Sequence, residues 1–162
     1  MQKETYERTA DFIRRHGVLL RLLLGLNIAI STVFYGSFPV LLLWQFFTGG
    51  AYLRTTLTAG IPFVLLTVFR RAYNRPRPYE ALGITPLITK EKSGRSFPSR
   101  HVFSAFIIAM CWLRFEPTVG AVLLVFGLIL GIIRVLGGVH YISDVVAGGL
   151  FAVVCGLAGL WI

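Results

Sequence analysis

Long runs without a charged residue dominate this chain and predict helices that cross a membrane. Five such runs occur, with lengths of 32, 15, 12, 17 and 18 positions. They cover residues 22–53, 55–69, 102–113, 117–133 and 145–162. A spanning helix needs about 20 mostly apolar residues, and the shorter runs reach this length when flanking arginines extend to the interface. The pattern predicts an all-α integral membrane bundle of about five transmembrane helices.

Polar and turn-forming residues between the runs define the boundaries of the predicted spans. We expect spans at about 19–47, 53–70, 98–115, 118–136 and 143–162. The polar segment 71–97 is predicted to be a loop, because Pro76 and Pro78 end any helix that enters it. We treat residues 1–162 as a single membrane-embedded domain.

The N-terminal segment 1–17 differs from the spans because it mixes charged and apolar residues. Tyr6, Phe12 and Ile13 stand among lysine, arginine and glutamate residues. Such a pattern is typical of an amphipathic helix that lies at the membrane interface.

The composition agrees with a membrane protein and limits the partners. Only 14% of the residues are charged and 56% are hydrophobic, whereas soluble domains carry about a quarter charged residues. The net charge of +9 is compatible with nucleic acid, an anionic membrane surface or an anionic substrate. Because the basic residues lie between apolar runs, we predict no nucleic-acid partner. The two cysteines lie inside apolar runs, and no cysteine spacing indicates a disulfide framework or a metal site.

The order of the spans predicts that three distant polar clusters meet. If the second to fifth spans cross the membrane in turn, three points share one membrane face. These points are the end of the second span, the start of the third, and the junction of the fourth and fifth. The polar residues at these points are Arg70, Arg77, Ser99, Arg100, His101, Arg134, His140 and Asp144.

His140 and Asp144 are four residues apart and would share one face of a helix. A carboxylate that accepts a hydrogen bond from Nδ1 of an imidazole leaves the lone pair of Nε2 available. This arrangement is typical of a nucleophile or base with an orienting acid. An equally compatible interpretation is a polar pair at a helix start, in which Asp144 only caps the helix.

Three further segments provide candidate phosphate-binding groups. Arg134 ends an uncharged run, where a charged side chain needs an anionic partner or water. Gly137 and Gly138 can turn the chain so that Arg134 and His140 face the same pocket. An arginine that extends to the interface is the alternative. Four arginines lie between residues 70 and 77, and their guanidinium groups can each donate two hydrogen bonds to phosphate oxygens. A surface patch that binds lipid headgroups is the alternative interpretation of this cluster.

The segment 96–101 is the third of these candidates. With Pro98 at the first helical position, the amides of Ser99, Arg100 and His101 would lack helical partners and would bind an anion. His101 would then be placed to give a proton to a leaving group. The alternative interpretation of this segment is an ordinary capped helix with a histidine on its surface.

Taken together, these motifs resemble the type 2 phosphatidic acid phosphatase superfamily, which includes lipid phosphate phosphatases and vanadium haloperoxidases. That family shows Lys, six residues and Arg-Pro, then Pro-Ser-Gly-His, then Ser-Arg, five residues, His, three residues and Asp. This chain has Arg70 with Arg77-Pro78, then the segment 98–101, then Arg134, His140 and Asp144. Three motifs in order, covering residues 70–144, indicate a small bacterial membrane member.

Three positions depart from the family pattern. Arg70 replaces lysine and keeps the charge. Arg100 replaces glycine, so its side chain narrows the site or adds a phosphate contact. Ile133 replaces serine, which removes one expected polar contact. None of these changes removes a catalytic group.

The resemblance implies a mechanism and a class of substrate. His140 would attack phosphorus, Asp144 would stabilise the imidazolium, and His101 would protonate the leaving group. The groups that would hold the phosphate are Arg70, Arg77, Ser99, Arg100 and Arg134. The implied enzyme is a metal-independent phosphatase without a cofactor, and its substrate is a lipid phosphate or diphosphate with its tail in the bilayer. Undecaprenyl diphosphate, phosphatidylglycerophosphate and phosphatidic acid are the candidates.

Two other functions remain open at this point, together with the orientation in the membrane. The same motifs would hold vanadate in a haloperoxidase, and a degenerate site would leave a lipid-binding or transport protein.

The positive-inside rule places the site in the cytoplasm, but many of the charges are candidates for phosphate binding. Since bacterial relatives commonly face outward, we expect a multi-pass cell-membrane protein with an extracytoplasmic site. The sequence leaves the oligomeric state open.

Overall fold

The computed structural model describes residues 3–88 and 93–162, and these residues form seven helices without a strand. The helices are α1 (Lys3–Arg15), α2 (Gly17–Phe47), α3 (Tyr52–Tyr73), α4 (Pro78–Ala81), α5 (Arg100–Phe115), α6 (Pro117–Leu136) and α7 (Ile142–Trp161). The prediction of an all-α protein is confirmed.

Four of these helices, α2, α3, α6 and α7, are long and apolar enough to cross a membrane. Each presents large apolar side chains on the outer surface of the bundle, and Leu43, Val64, Leu128 and Leu150 are examples that are more than half exposed. Apolar surface of this extent is stable only next to lipid. The helical membrane bundle is therefore confirmed.

The fifth predicted span corresponds to α5, which differs from the other four. Its 16 residues rise about 24 Å, less than the hydrocarbon thickness of about 30 Å. Nine of its residues are buried, because α2, α3, α6 and α7 all pack against it. A helix enclosed by protein does not have to match the thickness of the lipid, and a short helix is sufficient at the centre.

The N-terminal helix forms as expected, but its apolar face packs on protein. Tyr6, Ala10 and Ile13 of α1 are buried, while Phe12 is 56% exposed. The Tyr6 hydroxyl donates to the carbonyl of Thr85 over 3.4 Å. The location of this helix at the membrane interface stays a prediction.

The polar segment 71–97 is more helical than the sequence indicated. Helix α3 continues to Tyr73 and ends where Asn74 takes a left-handed conformation (φ 41°), and the short helix α4 follows. Pro78 is favourable as its first residue, and the Glu80 carboxylate accepts from the amide of Arg77 over 2.8 Å. The expectation of a plain loop is wrong for these residues. Residues 89–92 of the segment lie outside the described residues.

The turn between α6 and α7 requires glycine. Gly138 has a φ of +75°, and a Cβ atom at this position would lie 2.3 Å from the Tyr6 hydroxyl oxygen and 2.6 Å from its ring. Gly138→Ala should therefore reduce the free energy of unfolding by about 1–3 kcal/mol, measured by thermal unfolding in detergent. Gly36→Ala on α2, where a Cβ would meet nothing within 4 Å, is the control. Equal midpoints for the two variants would contradict this account of the turn.

Candidate active site

Hydrogen bonds join the three polar clusters at one end of the bundle. The Arg70 guanidinium, at the end of α3, donates to the carbonyls of Ser96 and Pro98. Arg77 donates to the carbonyl of Val139 in the α6–α7 turn over 3.2 Å. The end of α3, the segment before α5 and the α6–α7 turn therefore lie together, as the order of the spans predicted.

The carboxylate of Asp144 is the centre of this network and is fully buried. Its Oδ1 accepts from Arg75 over 2.8 Å. Its Oδ2 accepts from the Ser96 hydroxyl over 2.5 Å and from the amide of Tyr141 over 3.0 Å. His140 Nδ1 lies 3.4 Å from the same Oδ2. Asp144 is thus held by several donors, and its position orients the imidazole.

His140 and Asp144 meet through a turn, which differs from the predicted helix face. Helix α7 begins at Ile142, so His140 precedes it. Tyr141 has an extended backbone (φ −76°, ψ 159°) and is the N-cap residue. Asp144, in the first turn, folds back toward the residues before the helix. The expected pair is present, but the expected geometry is wrong because Gly138 ends the preceding helix and lets the chain turn.

His140 has the properties of a neutral, buried nitrogen nucleophile. Its side chain is 1% exposed, and its Nε2 has no hydrogen-bond partner among the described residues. Burial lowers the pKa of His140 well below its ordinary value, and the charges of Arg134 and Arg77 act in the same direction, against the hydrogen bond to Asp144. The ring is therefore uncharged at neutral pH. With Nδ1–H directed to Asp144, Nε2 carries the available lone pair.

A cavity of about 440 Å³ lies beside this network. It is lined by Thr67, Arg70, Arg71, Arg77, Arg95, Arg100 and His101. Arg70 and Arg77 are buried, which strengthens their attraction for an anion. A larger groove of about 600 Å³ between α6 and α7 has an almost entirely apolar lining and offers no groups for phosphate. The arginine-lined cavity is therefore the candidate site for an anionic substrate.

Arg134 lies in the last turn of α6 and is 2% exposed. Its guanidinium donates to the side-chain oxygen of Asn27 on α2 over 3.4 Å. Its charge also acts on His140. Arg134 is thus an inward-facing charge near the imidazole, and its side chain does not reach the outer surface of the bundle.

The start of α5 differs from the sequence prediction. The helix begins at Arg100 rather than Pro98, because the amide of Ser99 donates to the backbone carbonyl of Asp144 over 2.8 Å and Ser99 is extended (φ −69°, ψ 115°). The expectation that this amide binds phosphate is therefore wrong. The Ser99 hydroxyl is buried without a partner among the described residues, so it stays a candidate donor.

Three residues of the site were missed as functional by sequence reasoning. Arg75 and Ser96 hold Asp144, and Glu80 accepts from the amides of Arg77 and Gly94. Arg75 belongs to the arginine cluster of the sequence, but no spacing rule connects it to a carboxylate 69 residues away. Only the folded chain assigns these partners.

The predicted absence of a metal stays a prediction. Within the part of the chain that the structure describes, no group of three His, Cys, Asp or Glu residues is placed to hold a metal ion.

Two bacterial proteins are similar in sequence to this chain. Undecaprenyl-diphosphatase BcrC of Bacillus subtilis is 32% identical over 105 residues, which are 65% of this chain. Bacitracin transport permease protein BcrC of Bacillus licheniformis is 30% identical over 107 residues, or 64% of this chain. In both cases this chain spans only about half (53%) of the relative's length.

Two crystal structures share the fold, and a family model matches most of the chain. LpxE of Aquifex aeolicus has a TM-score of 0.69 at 27% identity, covering 89% of this chain and 93% of LpxE. The PAP2-type phosphatidylglycerolphosphate phosphatase of Bacillus subtilis has a TM-score of 0.75 at 24% identity, covering 96% of this chain and 81% of that protein. The model of the PAP2 superfamily matches residues 49–162, which include every motif residue from Arg70 to Asp144. This chain therefore belongs to the PAP2 superfamily.

Proposed function

We propose that this protein is a metal-independent phosphatase that hydrolyses a lipid phosphate or diphosphate through a phosphohistidine. The observation that carries the proposal is the state of His140. Its ring is buried and uncharged, its Nδ1 faces Asp144, and its Nε2 has no partner among the described residues. A buried nitrogen without a hydrogen-bond partner costs free energy. A bond from Nε2 to the phosphorus atom of the substrate would engage this nitrogen.

In the first step, His140 Nε2 attacks phosphorus and the bond from phosphorus to the leaving oxygen breaks. His101, which lines the cavity and takes up a proton when the anionic substrate binds beside it, gives that proton to the leaving oxygen. The Nδ1–H remains on the ring, and Asp144 stabilises the imidazolium that results. Arg70, Arg77 and Arg134 neutralise the charge that develops on the phosphoryl oxygens, and the Ser99 hydroxyl is a further donor.

In the second step, water attacks the phosphohistidine. His101, now without its proton, accepts one from the water, and the nitrogen–phosphorus bond breaks. Inorganic phosphate is released and His140 returns to its neutral form. Both steps balance without an external acid or metal.

The location of the cavity supports a lipid as the substrate. Thr67 of α3 and His101 of α5 line the cavity, so it lies between helices of a membrane bundle, and an apolar tail attached to a bound phosphate would reach the bilayer. The relatives add support, since one is named for undecaprenyl diphosphate and another for phosphatidylglycerolphosphate.

A screen for phosphate release tests the function. The detergent-solubilised protein would be given undecaprenyl diphosphate, phosphatidylglycerophosphate and phosphatidic acid, each with and without a chelator. We expect release from at least one substrate at equal rates with and without the chelator. Absence of release from all three would overturn the phosphatase, and recovery only on adding a metal would overturn its independence of metal.

The two alternative functions predict different results. A haloperoxidase would oxidise halide after addition of vanadate, and a lipid-binding protein would bind these lipids without turnover. The apolar outer surface of the bundle favours a membrane lipid as the ligand, and the intact set of His101, His140 and Asp144 favours turnover.

For the membrane orientation we propose an extracytoplasmic site, as for bacterial relatives in general. Ala81 in α4 is exposed on the site end, while Arg114 lies near the other end of α5. Cysteines introduced at these positions should react oppositely with a membrane-impermeant reagent applied to intact cells. Labelling at 114 but not at 81 would place the site in the cytoplasm.

A further inference from the structure

We propose that Arg71, Arg95 and Arg100 form a second phosphate site at the mouth of the cavity, so that the enzyme prefers lipid diphosphates to monophosphates. The proposal rests on the proposed function and specifies its substrate class. The three residues are called the rim arginines below.

The first support is the number of positive charges. Five arginines line a single cavity, whereas one phosphate group carries about −1.5 to −2 charges. The carboxylates that the structure describes next to the site are already engaged, since Asp144 pairs with Arg75 and Glu80 accepts from backbone amides. Among the described residues, no carboxylate forms an ion pair with a rim arginine. A second phosphate group would balance this excess charge.

The second support is the arrangement of the arginines at two depths. Arg70 and Arg77 are 6% and 3% exposed, and both have backbone carbonyls as partners. The rim arginines are exposed although they line the same cavity. The buried pair suits the phosphoryl group that reacts with His140, and the rim suits a group attached to it on the outer side.

The third support is the backbone at Arg95, which has a left-handed conformation (φ 56°). This conformation is uncommon for residues other than glycine, asparagine and aspartate. It is held on both sides, because Gly94 N–H donates to Glu80 and the amide of Ser96 donates to the carbonyl of Arg75 over 2.9 Å. The chain therefore maintains a strained backbone that brings an arginine to the cavity.

The fourth support is Arg100, which stands where the family motif has glycine. Its guanidinium lies 5.8 Å from the ring centroid of Phe63 on α3, which supports the side chain at the cavity wall. The extra side chain therefore lies at the site and adds a charge to it.

With a diphosphate, the outer phosphorus is attacked by His140 and the bridging oxygen leaves with the lipid-linked phosphate. The rim arginines would neutralise that departing phosphate. With a monophosphate the leaving group is an alcohol, and these arginines have no anion to neutralise.

Kinetics on substrates with the same tail test the proposal. Farnesyl diphosphate and farnesyl monophosphate would be compared for the wild type, Arg71→Gln and Arg95→Gln. We expect the wild type to have a higher kcat/KM for the diphosphate than for the monophosphate. In each variant the ratio of these two kcat/KM values should fall about tenfold, as for loss of a charge-assisted hydrogen bond. Arg54→Gln, near the opposite end of α3, should retain the preference. An equal loss on both substrates would overturn the proposal.

A binding measurement separates this inference from the proposed function. The His140→Ala protein should bind pyrophosphate more tightly than phosphate by calorimetry, and adding Arg71→Gln or Arg95→Gln should remove the difference. Tighter binding of pyrophosphate by this variant, together with no hydrolysis of any lipid phosphate by the wild type, would support the rim site and overturn the phosphatase. Equal binding of the two anions would overturn the rim site even if the wild type hydrolyses lipid phosphates, because a second phosphate site would favour the anion with two phosphate groups.

Discussion

Replacing His140 with alanine is expected to lower phosphate release by at least about 10,000-fold, as for removal of a covalent nucleophile. The alanine has no nitrogen to form the phosphohistidine, so the covalent intermediate cannot form. The measurement is turnover of the best substrate from the screen, with thermal unfolding in the same detergent to verify folding.

His16→Ala provides the matched control for this variant. His16 lies between α1 and α2, is exposed, and contacts the carbonyl of Phe12 through its Nδ1 over 2.8 Å. Its replacement removes the same chemical group and should leave turnover within about twofold, since exposed positions away from a site contribute little. Turnover by a folded His140→Ala protein at a rate near that of the wild type would refute the phosphohistidine mechanism.

Asp144→Asn is expected to lower turnover by at least about 1,000-fold, the scale seen when an orienting aspartate becomes an amide. The buried carboxylate accepts from Arg75, Ser96 and the amide of Tyr141. An asparagine has only one acceptor oxygen, and its NH₂ group would face a donor. The imidazole of His140 would then lose both its orientation and the charge that stabilises the imidazolium.

Two comparisons distinguish this effect from a general loss of folding. Asp11→Asn removes a carboxylate that pairs with Arg14 on α1 and is 59% exposed, and it should retain full activity. The double variant with His140→Ala should be no less active than His140→Ala alone, because groups that act as a unit are not additive. A folded Asp144→Asn protein with native turnover would show that the carboxylate is only a helix cap.

Much of the fold was predictable because lipid imposes a simple pattern. A backbone in the bilayer has to form its own hydrogen bonds, so long uncharged runs become helices, and α2, α3, α6 and α7 lie close to the predicted spans. The pairing of His140 with Asp144 also followed from local spacing, although the turn that achieves it did not. Sequence reasoning failed where distant partners override local preference, as at Ser99, whose amide is taken by the Asp144 carbonyl.

The membrane class, the order of the spans and the set of motif residues could be read from the amino-acid sequence, because they depend on composition and short intervals. The contacts between the motif residues became known only from the packed helices. The tertiary structure connected Arg75 and Ser96 to Asp144, enclosed the short helix α5, and brought Arg71, Arg95 and Arg100 to one cavity. These contacts join residues far apart in the chain, and their energies depend on burial and charge that arise only when the helices pack.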